Sequence, residues 1–188
     1  MKVVLLSGSP RKDGNTVQAL NVCARAIEAN DVDTEVISLA DKSIAGCIAC
    51  NYCKKHGKCA IDDGLNEIID EVKDAEGFIV GSPVYFGTAR GDMMNAIQRI
   101  SKVSYSSSRW LDGKVGGPIV VARRGGLTST MQEMLMFYFI NGMIVTGSTY
   151  WNIMFGAAPG EAMNDEEGIR TIITFGEKVA DIIKKLNA

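Results

Sequence analysis

The chain has almost no excess charge of either sign: 20 Lys plus Arg stand against 22 Asp plus Glu in 188 residues, a formal balance of -2. A surface this close to neutral offers no general attraction to nucleic acid or anionic lipid, so any anion site has to be local. No apolar run is long enough to span a bilayer, and the N-terminus lacks the apolar h-region and cleavage site of a secretory leader, which points to a cytoplasmic protein that does not enter the membrane. The single histidine is His56, and no Ser-His-Asp or paired-carboxylate constellation occurs, so side-chain acid-base or nucleophilic catalysis has no candidate set. The dinucleotide fingerprint G-x-G-x-x-G is absent too. Five cysteines are too few for a disulfide scaffold in a chain of this size, yet four of them fall in thirteen consecutive residues, which suggests metal chemistry.

What is present begins with an apolar run, Val3 to Leu6, that breaks into a small polar loop and then a helix. The continuous apolar character is that of a strand covered on both faces. Ser7, Ser9, Asn15 and Thr16 offer hydroxyls and an amide beside the free N–H groups of a helix start, and Arg11 adds a fixed charge with a forked set of donors. A P-loop needs four residues between its glycines and then Lys followed by Ser or Thr; here five separate Gly8 from Gly14, and Asn15-Thr16 follows. The loop reads as a cradle for a monophosphate, with an ordinary strand-to-helix loop rich in small residues as the competing reading.

The remaining pattern alternates strand and helix. Val17, Leu20, Ala24 and Ile27 recur at helical spacing behind Asn15 as a cap, with Cys23 as a small core residue. Thr34 to Leu39 forms a second strand near a sheet edge, Gly77 to Gly81 a third, Val115 to Ala122 a fourth and Met143 to Val145 a fifth. Between them lie helices capped at Asp62 or Asp63, carrying Met93 to Ile100, and running from Thr130 to Ile140 with apolar residues on nearly every side. A last helix opens at Asp165 or Glu166. Ser101 to Trp110 reads as a long helix-to-strand connection, with structural packing preferred over a lid or a subunit contact. The expectation is one α/β domain over residues 1–188, a doubly wound five-stranded parallel sheet of order 2-1-3-4-5 with helices on both faces, and a cysteine-rich loop at 45–61.

In such folds ligands sit beyond the carboxyl ends of the strands at the switch point, which brings Ser7 to Thr16 beside Ser82 to Gly87. The second loop, Ser82-Pro83-Val84-Tyr85-Phe86-Gly87, offers a rigid proline, two aromatic rings and open backbone for a flat heteroaromatic ring. A phosphate at one loop and a flat ring at the next describe FMN. Gly8-Ser9-Pro10-Arg11 with Asn15-Thr16, Gly81 to Phe86, and Arg123-Arg124-Gly125-Gly126 resemble the flavodoxin-like NAD(P)H-dependent FMN reductase family over nearly the whole chain. The resemblance implies that Ser7, Ser9, Arg11, Asn15 and Thr16 hold the FMN phosphate, and that Pro83, Val84, Tyr85, Phe86 and Gly87 line the ring. It also implies that Arg124 and Gly125, in the Arg123 to Gly126 turn, approach the ring's pyrimidine edge, where positive charge favours the anionic reduced flavin. A solvated arginine pair at a strand end is the alternative for Arg123 and Arg124.

Cys47, Cys50, Cys53 and Cys59 are spaced C-x2-C-x2-C-x5-C. Three thiolates at three-residue steps can wrap one corner of a small cluster, and a fourth can close the cage after Gly57. The run resembles that of the iron-sulfur flavoproteins within the same broad family, which implies a [4Fe-4S] cluster. Bacterial ferredoxin runs have three residues and then a proline around the last cysteine, and neither holds here. Zinc competes, although structural zinc sites usually place two separated pairs, and free thiols or disulfides are a third state. One histidine excludes a Rieske pair, and His56 reads as solvated. Lys54, Lys55 and Lys58 form either a solvated face or a dock for an acidic donor.

The function expected is an FMN-dependent oxidoreductase with a cluster relaying single electrons. NAD(P)H, a quinone and ferredoxin are the expected donors and acceptors, with a homodimer or homotetramer implied by family. A non-enzymatic redox sensor or zinc-thiol module is the alternative.

Overall fold

Val3 and Leu5 pack to one side of their strand and Val4 and Leu6 to the other, and all four are fully buried. The alternation follows from the two-residue repeat of a strand, and burial on both sides requires helices on both faces. The computed structural model describes residues 1–188. Along it run β1 (Lys2–Ser7), α1 (Asn15–Glu28), β2 (Asp33–Ser38), α2 (Tyr52–His56), α3 (Leu65–Asp74), β3 (Gly77–Tyr85), β4 (Thr88–Ala89), α4 (Gly91–Ser106), β5 (Val115–Ala122), α5 (Leu127–Ile140), β6 (Ile144–Val145), β7 (Ile153–Phe155), a 3-10 turn (Glu161–Asn164) and α6 (Glu166–Leu186). The sheet order is β2-β1-β3-β5-β6. One face is covered by α1 and α6, with Leu20, Ile27, Phe175 and Val179 against Val3, Leu5 and Ile79. The other is covered by α3, α4 and α5, with Ile69, Ile97 and Met134 against Val4, Leu6 and Phe78. No helix is long and apolar enough to cross a membrane.

The order 2-1-3-4-5 holds for the five strand positions, but the strands themselves depart from expectation in two places. The fifth position is split: β6 and β7 both pair parallel with β5, at its two ends, and residues 146–152 leave the sheet between them. β3 also runs on through Tyr85, past the expected end at Gly81, and folds back antiparallel onto β4, so Ser82 to Tyr85 is strand and the sheet is not wholly parallel. Ser101 to Ser106 belongs to α4 and not to a connecting segment.

Two caps also differ. Gly14 precedes α1 and Gly64 precedes α3, neither with a side-chain cap; Asn15 and Asp63 make long-range bonds instead. Asp165 does cap α6, accepting the N–H of Gly168 at 2.9 Å. Cys23 is fully buried beneath α6, and burial pushes its thiol far up, so it stays protonated.

The Gly116-Gly117-Pro118 run in β5 has a specific partner. Pro118 has no N–H to give the ladder, and a Cβ on Gly116 would lie 1.9 Å from the Phe78 carbonyl oxygen. Tyr138 from α5 reaches this point, where its hydroxyl accepts the Val80 N–H at 3.1 Å and donates to the Phe78 carbonyl at 3.3 Å. Burial pushes that hydroxyl's pKa far up, and it serves as a neutral donor and acceptor to two backbone groups of β3 opposite Pro118 of β5.

Candidate functional site

The carboxyl ends of β1 and β3 are locked together: Ser7 stands opposite Gly81, and the Gly8 N–H donates to the Gly81 carbonyl at 2.8 Å. Beyond this joint the chain opens into a cleft of about 260 Å³ lined by Ser9, Arg11, Asn15 and Thr16 at one end, by Pro83, Val84 and Tyr85 at the other, and by Arg123, Gly156 and Ala157. The β1–α1 loop is shaped from within. Ser9 Oγ accepts the Arg11 N–H at 3.1 Å, Ser7 Oγ accepts the Ser9 N–H at 3.3 Å, and the Gly14 N–H donates to the Arg11 carbonyl at 3.3 Å. No side chain caps α1 and no carboxylate sits in its first turn, so its positive dipole end lies at the cleft with no acid of that turn competing for the leading N–H groups.

The expected residues are distributed unevenly. Ser9, Arg11, Asn15, Thr16, Pro83, Val84 and Tyr85 share the cleft. Ser7 is fully buried below it as an acceptor for the loop backbone. Phe86 and Gly87 form the tip of the β3–β4 hairpin, with Phe86 fully exposed at φ 52° and Gly87 at φ 91°. Arg124 and Gly125 are exposed outside the cleft, whereas Arg123 lines it and faces the Glu161 carboxylate.

Asn15 turns out to have a structural task that its local sequence did not indicate. Its Nδ2 donates to the Ala158 carbonyl at 2.9 Å, and its Oδ1 accepts the N–H groups of Gly160 at 2.8 Å and Ala162 at 3.3 Å. The loop after β7 is thereby pinned onto the start of α1. Glu161 stiffens the same loop by accepting the N–H groups of Ala158 at 2.9 Å and Ala157 at 2.8 Å, which lowers its pKa below the usual glutamate value.

The cysteine loop leaves the sheet after β2 and folds back on α4. Cys47, Cys50, Cys53 and Cys59 line one small, mostly apolar cavity of about 20 Å³ together with Ile48, Ile61 and Arg99. Cys47 and Cys50 are exposed, Cys53 is buried and Cys59 lies between these extremes. Ala49 and Asn51 take left-handed φ values of 54° and 57°, which curl the chain between the first three cysteines. No three His, Cys, Asp or Glu side chains are arranged to hold a single metal ion. His56 stacks on Tyr52 with ring centroids 3.9 Å apart.

The loop is held by a polar stripe on α4 whose members, Asp92, Asn95 and Arg99, recur at the three- and four-residue spacing of one helix face. Asp92 accepts the Ile44 N–H at 3.0 Å and pairs with Arg90, which in turn donates to the Gly8 carbonyl at 3.2 Å. Asn95 donates to the Ile44 carbonyl at 2.8 Å. Arg99, 1% exposed, forks onto the Asp63 carboxylate at 2.5 and 3.0 Å. Burial alone would raise the Asp63 pKa, but the Arg99 fork and the Ala45 N–H outweigh it and hold it below the ordinary value. No local signal marked this stripe, because α4 also carries Gln98, Lys102 and three serines.

Residues 1–158 match the model of the NADPH-dependent FMN reductase family. An iron-sulfur flavoprotein of Methanocaldococcus jannaschii is 40% identical over 191 residues, which cover 98% of each chain. One from Methanosarcina thermophila is 30% identical over 187 residues, covering 98% of this chain and 96% of the relative. Among solved structures, a flavodoxin from the domain Archaea superposes with a TM-score of 0.66 at 19% identity, covering 98% of this chain and 99% of the other, a likeness of fold.

Proposed function

Since this chain belongs to the NADPH-dependent FMN reductase family, we propose that it is an FMN-dependent oxidoreductase reduced by NAD(P)H, with a [4Fe-4S] cluster on Cys47, Cys50, Cys53 and Cys59 passing single electrons to or from a partner. The observation that carries the flavin reading is that one cleft joins the uncapped start of α1 to the Pro83–Tyr85 wall. Bound FMN supplies hydride and one-electron chemistry. The chain binds and orients it. Ser9, Thr16, Arg11 and the first N–H groups of α1 take the phosphate, as helix starts do for anions. Pro83, Val84 and Tyr85 give the ring an apolar wall, and Arg123 brings positive charge into the cleft, favouring negative charge on the ring.

Support for the cluster comes from the four cysteines around one cavity, from their continuous C-x2-C-x2-C-x5-C spacing where structural zinc sites usually place two separated pairs, and from relatives named iron-sulfur flavoproteins. The exposed Lys54, Lys55 and Lys58 beside Cys53 suit an acidic electron carrier such as a ferredoxin, and a quinone is the small-molecule alternative. Met136, Phe139 and Ile140 leave apolar surface exposed on α5, which supports a homodimer or homotetramer.

The test is the absorption spectrum of anaerobically purified protein with iron, sulfide and zinc assays, followed by NAD(P)H oxidation with FMN or a quinone as acceptor. A colourless protein refutes the flavin, zinc without iron refutes the cluster, and no turnover with any donor refutes the reductase. Arg11→Ala with Thr16→Ala is expected to weaken FMN binding far more than Cys47→Ala; equal flavin loss would contradict two separate sites.

A further inference from the structure

Arg99 is the largest fully buried side chain in the molecule, and every donor direction of its guanidinium is used. Nη1 donates to the Ala45 carbonyl at 3.1 Å and Nη2 to the Ile61 carbonyl at 3.1 Å, the two ends of the cysteine loop. Both nitrogens also reach Asp63, whose second role is to accept the Ala45 N–H at 3.0 Å. The remaining donor, Nε–H, points at Cys59 Sγ at 3.3 Å. Asn66 completes the clamp at this end by bonding both the N–H and the carbonyl of Cys59, at 2.9 and 3.1 Å.

An arginine with no exposed surface is costly unless every donor is matched, and a salt bridge to Asp63 would have needed only one edge of the fork. The other edge and Nε are spent on the loop that carries the cysteines. Lysine could supply the charge, but its three donors sit on one atom and cannot reproduce the five contacts that the planar fork of Arg99 makes here.

We propose that Arg99 is the positioning residue of the cysteine loop: it fixes the loop's two ends against α4 and, through Nε–H, favours the more negative redox state of whatever the four thiolates hold. The inference rests on the cluster reading above. In the one-electron step concerned, a carrier of the ferredoxin class would give up one electron and be oxidised, and the group held by the four thiolates would gain that electron and one negative charge; no bond forms or breaks and no proton is taken up. A hydrogen bond to a ligand sulfur and a fixed positive charge beside it both favour that reduced state.

The test uses the full chain, purified anaerobically, as wild type, Arg99→Gln, Arg99→Lys and Asp63→Asn, with FMN affinity within twofold of wild type as the check that each variant is folded. Iron and sulfide content, amide hydrogen exchange over 45–61 and a spectroscopic redox titration of the iron-loaded fraction are the readouts. Arg99→Gln and Asp63→Asn are both expected to speed exchange across the loop and to lower iron content by half or more. Their potentials should move apart: more negative for Arg99→Gln, which loses a donor and a positive charge, and unchanged or more positive for Asp63→Asn, which loses a negative charge. Arg99→Lys keeps the charge without the fork and should fall between wild type and Arg99→Gln.

A role in packing alone would move both potentials the same way and would overturn the donor assignment. Exchange and iron content at wild-type levels in Arg99→Gln would overturn the positioning role. If wild type itself holds no iron, the cluster reading and the redox part fall together, and the exchange measurement decides the anchoring part by itself. If Arg99→Gln fails the FMN check, Arg99→Lys against Asp63→Asn makes the same comparison.

Discussion

Replacing Asn15 by Ala separates two roles that its position allows, phosphate binding and loop anchoring. In the fold its side chain is 9% exposed and ties three backbone groups of the loop after β7, the Ala158 carbonyl and the N–H groups of Gly160 and Ala162, to the start of α1. Each hydrogen bond contributes about 0.5–1.5 kcal/mol net, so removing all three should cost about 2–4 kcal/mol where water cannot fully replace them. Urea unfolding of the flavin-free chain measures this as a lower midpoint at unchanged slope. FMN titration by fluorescence quenching should weaken as well, because Gly156 and Ala157 of the anchored loop line the cleft. Asn15→Asp is the control: it keeps the two acceptor bonds and adds a charge that suits the start of a helix, yet it sets a carboxylate beside the proposed phosphate site. Its stability should fall less than that of Asn15→Ala, and its FMN affinity more. An Asn15→Ala chain that unfolds at the wild-type midpoint while losing FMN would refute the anchoring role.

Tyr138→Phe leaves the Val80 N–H and Phe78 carbonyl of β3 without their partner opposite Pro118, and should lower stability by about 1–3 kcal/mol in thermal or urea unfolding. A change below about 0.5 kcal/mol would mean that the strands close the gap themselves. Gly126 sits at φ 85°, and an added Cβ would lie 2.8 Å from Val84 Cγ1 and 2.9 Å from Gly87 Cα. Gly126→Ala should therefore displace the β3–β4 hairpin and weaken FMN several-fold, and wild-type affinity in this variant would count against the Val84 wall. The Glu161 pKa is depressed in the fold by the N–H groups of Ala158 and Ala157. Its contribution to loop order is thus present above the unfolded value of about 4.3 and lost as pH falls through the lower folded value. Exchange of the Ala157 and Ala158 amides should speed up across that acid range in wild type and be fast at all pH in Glu161→Ala; equal protection in both would remove Glu161 from the loop.

Most of the sheet was legible because its signals are local. Val3 to Leu6 is apolar without a break since both its faces are buried, and five strands with helices between them leave few ways to order a parallel sheet. The cleft was legible to the same degree, since Ser9 to Thr16 and Pro83 to Tyr85 each carry their chemistry in one short segment. Less accessible were features in which a side chain answers to a distant segment. The β3 extension past Gly81 depends on pairing of Ser82 and Pro83 with β5 and of Val84 and Tyr85 with β4, and the split of the fifth strand depends on where β5 offers free edge at its two ends.

The sequence by itself determined the alternation of elements, the switch-point loops and the spacing of the four cysteines, because strand period, helix period and turn chemistry act over a few residues. Tertiary structure alone decided that Asn15 is a clamp on a loop 143 residues away, that Arg123 and not Arg124 enters the cleft, and that Arg99 closes the cysteine loop. A polar side chain in a helix satisfies its donors with whatever the fold brings to it, and that partner is set by the packing of the whole chain and not by its neighbours in sequence.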